Sequence, residues 1–548
     1  MSVSRTWLFL VLAVALLCAG SLSSFTYVPI VVALSLAIVA NLVKPGCGFL
    51  AEESEAKNSG LEPSSAGVRS ARHSRAHWID KLKVVLTCLV VAHHCTCVMS
   101  GGGWDLTLGH YSNPLQLPFS LFLVFNQSYF MCLFFFVAGY FAPSSFDRKG
   151  PRAFLRDKMW RLGLPFLVYT FGVGPALNVF VQRVLSDSTD YDGFNMSRSL
   201  PKGYNKSLVG KPGYRMPTHV PGPVPATYEV EAGPCWFLLW LLMFHTAYAA
   251  VMLGAEDESR GATAAAAATM ASSPLVPREI NTSQHFRMSA PKLHVLAGVG
   301  LVIGIANCAF MAAVPGGVIF MPITFGSLPG DICFFMGGII AKRNRWLEGK
   351  VQPETEWIPR TRALCAHGLT AIFGAGTIVV LTWMVHSGGS GFVPNNPPYD
   401  PATWNVTSPP RPTGQGGASL EQMLGLLGMN VWLAGFLMFV SVSIVDCFKR
   451  NCNTEPGAAW TFFAQHAYAV YLIHSVFVMA MTKAWIIVLR KCFGINPLFP
   501  FGWASPTRLG EGGTILAAGW TFMVVGVLGL VWPAAWLFRK LPGVATIV

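Results

Sequence analysis

From Ile79 onward the chain alternates long apolar runs with shorter polar ones, and ten of the runs reach membrane-crossing length: about 79–99, 118–142, 162–182, 235–253, 293–313, 318–341, 365–386, 422–446, 460–489 and 514–537. Each is continuous, and about twenty apolar residues at 1.5 Å rise cover a hydrocarbon core of about 30 Å. Barrel strands would instead alternate apolar and polar over about ten residues. The pattern therefore predicts an all-α polytopic membrane bundle of about ten core helices plus one or two N-terminal apolar helices. In the latter, residues 7–19 after Arg5 read as a signal peptide or a first membrane helix, and 25–43 as a second apolar run. The predicted organisation is an N-terminal signal, anchor or helical hairpin over 1–43, a flexible polar linker over 44–77 and a membrane domain over 78–540. The low-complexity segment 254–292 is expected to be a disordered cytosolic loop, with a short helix over its alanine run as the alternative.

Composition agrees with lipid as the main solvent: 53% of the 548 residues are hydrophobic, 12% are charged, and the mean hydropathy is +0.48. The formal net charge of +13 reads as topology. Arg148, Lys149, Arg152, Arg156, Lys158 and Arg161, then Lys342, Arg343, Arg345, Lys350, Arg360 and Arg362, then Lys449, Arg450, Arg539 and Lys540 fall on one side if the helices simply alternate. That side is expected to be cytosolic by the positive-inside rule, against which only the loop with Arg490, Lys491 and Arg508 argues. No basic segment is interleaved with aromatics, so nucleic acid is not an expected partner. Sequons at Asn195, Asn205 and Asn405 lie on the opposite side. The thirteen cysteines follow no repeated spacing, so neither a metal site nor a disulfide framework is predicted; Cys95 and Cys97 read as small packing residues.

Chemistry concentrates in residues 78–97, WIDKLKVVLTCLVVAHHCTC, where Asp80, Lys83, His93 and His94 stand on a membrane helix. Charged groups cost about 2.5–3.5 kcal/mol each at mid-bilayer on insertion scales and persist where they have a task. At 100° per residue the eleven-residue step from Lys83 to His94 returns to within about 20° of one face, while His93 is turned about 80° away. Lys83 and His94 lie about 16 Å apart along the axis. They are too far apart to bond, yet an elongated ligand on that face would meet both. Asp80 is placed to pair with Lys83 one turn on.

Four further patterns follow in order: FLRDKMWRLGLP at 154–165, GPCWFLLW at 233–240, DICFFMGG at 331–338 and AYAVYLIH at 467–474. With the first helix, they resemble the acyltransferase-3 family of ten-helix membrane acyltransferases, which includes O-antigen and peptidoglycan acetylases and periplasmic glucan succinyltransferases. The resemblance covers roughly 75–540. In place of the family's arginine, ten residues and histidine, this chain has Lys83, ten residues and His94; where the family often shows two arginines three apart, it has Lys158 and Arg161, with Arg156 nearby. Lysine keeps the charge but loses the planar fork of arginine.

The resemblance implies transfer of an acyl group, commonly acetyl from acetyl-CoA, to a hydroxyl of a carbohydrate or related glycan at the lipid bilayer. His94 would be the general base, Lys83 would help hold the donor's phosphates or the helix partner, Asp80 would pair with Lys83 or orient a neighbour, and Arg156, Lys158 and Arg161 would hold the acyl-CoA phosphates. His93, Trp236, Tyr471 and His474 are candidate acceptor-site residues. For Trp236 and Trp240 the bland reading is an interface belt, and for Tyr468 and Tyr471 it is hydrogen bonding to backbone. A transporter without acyl chemistry is the competing reading; it would show inverted repeats, which are not evident, or broken helices around Pro315, Pro322 and Pro329.

Overall fold

A computed structural model describes residues 76–100, 117–174, 176–177, 233–270, 288–313, 328–348, 359–386, 420–494 and 512–548. The predicted N-terminal hairpin, most of the linker, the sequons, Arg508, Pro315 and Pro322 lie outside these residues. A compact unit spans Trp78–Val548. Its helices are α1 (His77–Ser100), α2 (Leu117–Lys158), α3 (Leu164–Val168), α4 (Trp236–Met270), α5 (Leu293–Ala313), α6 (Leu328–Arg343), α7 (Arg360–His386), α8 (Leu420–Asn451), α9 (Ala458–Phe493), α10 (Gly512–Arg539) and the short α11 (Val544–Ile547).

Every one of the ten apolar runs is represented by a helix. Among the described residues seven stretches are long and apolar enough to cross a membrane, and one of them, Leu117–Val173, takes in both the second and the third run. The two are continuous because the basic segment between them is itself helical. Its break is at Gly150, which adopts φ 72°, a conformation that costs glycine little, and Pro151 restarts the helix just after it. Flanking α3 are two π-helical turns, Met159–Gly163 and Tyr169–Val173. Pro329 stands in the first turn of α6, where a missing N–H is harmless, so it breaks nothing. One expectation is corrected: residues 254–270 are not a loop but the last turns of α4, because the alanine run has the strongest helix propensity of any residue type.

Between lipid-solvated helices the hydrophobic drive vanishes, so close packing must do the work. In α2 and α6 the backbones touch: a Cβ on Gly139 would lie 2.0 Å from the Phe335 carbonyl oxygen, and one on Gly338 would lie 2.1 Å from that of Phe136. Gly300 and Gly304, one turn apart on α5, likewise admit Ala434 and Val431 of α8. α1 packs on α9 and α10 through Val84, Val91, Cys95 and Val98 against Val470, Val478, Met523 and Val527. Cys95 and Cys97 are buried packing residues. Behind these seams an aromatic stack fills the centre: Phe135 lies 4.7 Å from Phe237 and 5.2 Å from Phe244, which lies 5.3 Å from Phe335. Trp240 is buried and stacks on Phe244, so it is core and not belt. Val302, Ile372, Val379 and Val525 stay exposed, as a lipid-facing surface requires.

Polar clasps close the ends. Arg343 forms a bidentate pair with Asp147 at 2.8 and 2.9 Å and donates to the Tyr248 hydroxyl. Partial burial of that guanidinium opposes its charge, but these partners outweigh the burial and raise its pKa above the ordinary value. Lys81 donates to the Thr454 carbonyl and hydroxyl, tying α1 to the α8–α9 turn.

Candidate active site

α1 packs against α2 on one side and against α9 and α10 on another. Toward α2, the His93 ring packs 5.1 Å from Phe130, and Asn126 Nδ2 donates to the Leu89 carbonyl. Toward α9 and α10 it shows the apolar row described above. The flank between carries Asp80, Lys83, Thr87 and His94, all within about 60° of one another by helical geometry. Lys83 Nζ pairs with Asp80 Oδ1 at 2.9 Å, as the spacing predicts, and sits 5.1 Å from the Phe141 ring centre of α2. Thr87 is buried and donates to the Lys83 carbonyl.

Higher on that flank, His94 meets α9. Its ring centroid is 5.1 Å from that of His474 and 5.7 Å from that of His93, the latter edge-on. His93 and His474 are buried, whereas His94 keeps part of its surface accessible. Of the three imidazoles, His94 is the least enclosed. His474 is held from behind: its Nδ1 lies 2.6 Å from the Tyr471 carbonyl, which can only accept, so the proton is on Nδ1.

α9 also fixes the neighbours of the site. The Tyr471 hydroxyl donates to the Pro234 carbonyl, and the Tyr468 hydroxyl to the Arg161 carbonyl. Both tyrosines therefore bond to backbone, as the bland reading of them expects. Tyr169 donates to the Ser475 hydroxyl at 3.2 Å, beside His474. Gly233 takes φ 46°, and a Cβ there would come within 2.7 Å of the Tyr169 ring, so only glycine lets the turn before α4 press against it. The GPCW pattern is thus a clamp on Tyr169 and Tyr471. Trp236 is partly exposed in the wall, edge-on to Phe237, whose ring lies 5.9 Å from Tyr471.

The cations gather toward one end. Arg156 and Arg161 are exposed, and Lys158 Nζ lies 5.3 Å over the Phe154 ring. α1 and α9 run in the same sense, since Lys81 lies over Trp460 at 6.0 Å while His94 meets His474. Tyr468, whose hydroxyl donates to the Arg161 backbone carbonyl, is six residues before His474, about 9 Å along the axis. Lys83 is about 16 Å before His94. Both cationic groups therefore precede the histidines in the same direction, and the site is polarised. Histidine, tyrosine and serine lie toward one end of it, with charge toward the other.

The structure thus brings His93, His94, Tyr471 and His474 together, keeps Asp80 with Lys83 several turns away, and puts Arg156, Lys158 and Arg161 at the foot of α3. Thr87, Tyr169, Ser475 and the Pro234 carbonyl are additions that sequence reasoning missed; the one available signal was a lone hydroxyl inside an apolar run. Among the described residues no group of three His, Cys, Asp or Glu is placed to hold a metal ion. Residues 76–539 match the family model described as an acyltransferase domain. No curated protein and no solved structure gives a significant match.

Proposed function

The chain belongs to the acyltransferase-3 family and is a multi-pass membrane acyltransferase; from that premise we propose that it moves an acyl group, acetyl in the simplest case, from acyl-CoA to a hydroxyl of a carbohydrate or related glycan. One observation carries the reading. An accessible histidine inside a membrane helix, at the inner end of a flank whose mouth is cationic, fits a donor with anionic phosphates at one end and a reactive carbonyl at the other.

In this reading Arg156, Lys158 and Arg161 hold the phosphates by charge-assisted hydrogen bonds. Lys158 contributes charge without a fork, so bidentate recognition falls to the arginines. Lys83, oriented by Asp80, adds positive charge along the path. His94 takes the proton of the acceptor hydroxyl as its oxygen bonds to the acyl carbon. The carbon–sulfur bond then breaks, and His94 returns the proton to the departing thiolate. The products are an ester and a free thiol, with His94 regenerated. His93, Trp236 and Tyr471 shape the acceptor wall.

The test is thiol release from acetyl-CoA by the purified, detergent-solubilised chain with a panel of glycans. His94→Gln should lower glycan-dependent turnover by about 10²–10⁴, with His93→Gln far milder. Turnover surviving His94→Gln would overturn the assignment of the base but not the reaction class. Absence of acyl transfer from acyl-CoA to every glycan would overturn the proposed donor and acceptor.

A further inference from the structure

Resting on His94 as the base, the geometry points to His474 Nε2 as a second acceptor-binding group, one that selects substrates carrying two neighbouring hydroxyls, a vicinal diol. Three observations support this. First, His474 is fully buried, and its Nε2 has no hydrogen-bond partner among the described residues. Second, the tautomer is set. Nδ1 holds its proton against the Tyr471 carbonyl, so Nε2 presents a lone pair and can be satisfied only by an incoming N–H or O–H. Third, the ring cannot swing away to find another partner. Tyr471 stacks 5.9 Å from it, and the next residue, Ser475, is bonded to Tyr169.

With Nδ1 turned back to its own helix, the opposite edge of the ring carries Nε2 away from the backbone, and the neighbouring ring is His94 at 5.1 Å. A hydrogen bond spans about 2.8 Å. Rings this close can be bridged by adjacent hydroxyls of one molecule: one gives its proton to His94 and becomes the nucleophile, while the next donates to His474. An alcohol with a single hydroxyl satisfies His94 and leaves His474 Nε2 buried and unpaired. Sites built to receive a substrate O–H reject analogues that lack it for this reason.

The experiment compares trans-1,2-cyclohexanediol with cyclohexanol as acceptors of acetyl from acetyl-CoA, measured as kcat/KM for thiol release above the His94→Gln background. Wild type should favour the diol by about 10- to 100-fold beyond the factor of two for its second equivalent hydroxyl, and His474→Phe should bring the ratio to about that factor. His474→Ala reads the same ratio in a second background, where added imidazole should restore the preference. A wild-type ratio near two, or a preference untouched in both variants, would overturn the role of His474 while leaving His94 and the reaction class standing. No transfer to either alcohol above background, where glycans are acylated, would overturn the diol rule; none to glycans either would fell the proposed function.

Discussion

At His94 and His474 the same residue type has two very different surroundings. One imidazole is held by a carbonyl and fully buried; the other is partly open. The tyrosines of α9 show how the buried side is kept in register. Tyr471→Phe would leave the Pro234 carbonyl without its donor in a buried place, at a cost of about 1–3 kcal/mol. Thermal unfolding should show a clear drop in midpoint. Tyr468→Phe, at a more accessible bond to Arg161, should cost less. Helical geometry on α1 was enough to separate His94 from His93 and to pair Asp80 with Lys83. It could not supply His474 as the partner of His94, because 380 residues separate them and no local rule couples two helices so far apart. Tyr169 and Ser475 were hidden for the same reason, since only folding brings the two hydroxyls together, whereas Thr87 bonds locally to the Lys83 carbonyl on its own helix.

At the scale of elements, length and hydropathy located a helix for each of the ten apolar runs from Ile79 onward, since the bilayer imposes both, but not the short α11. They did not locate the join between α2 and α3, where polarity suggested a loop and the backbone stays helical past Gly150. Nor did they show the π turns around α3, whose extra residue per turn answers to packing and not to composition. The α2–α6 contact offers a sharp test with its own control. Gly139→Ala or Gly338→Ala must push two backbones apart, which predicts a loss of at least about 2–3 kcal/mol or failure to fold. Gly337→Ala meets nothing closer than 3.9 Å, at the Phe136 ring, and should stay within about 0.5 kcal/mol of wild type. Equal effects at Gly337 and Gly338, read by thermal unfolding in detergent, would mean that helix propensity and not contact governs this seam.

Across the whole molecule, charge sets what hydropathy leaves open. The clusters at 148–161, 342–362, 449–450 and 539–540 predict that the C-terminal end faces the cytosol. A fluorescent protein fused after Val548 should therefore light up in cells, and a cysteine introduced at Arg148 should resist membrane-impermeant thiol reagents applied from the opposite side. Labelling of that cysteine from outside would invert the proposed path of donor and acceptor.

The aromatic stack of Phe135, Phe237, Phe244 and Phe335 has an electrical consequence. A flank with Asp80, Lys83, Thr87 and His94 on one helix has the makings of a proton wire, and a wire across an energised membrane would be a leak. On the side of Tyr471 away from His474, the rings of Phe237 and Phe135 are hydrocarbon, with no lone pair to carry a proton onward. Transferring a bare charge through such a layer costs far more than the membrane voltage returns. A stack of this kind is the low-dielectric filling of a capacitor, set beside titratable groups that sit deep in the bundle.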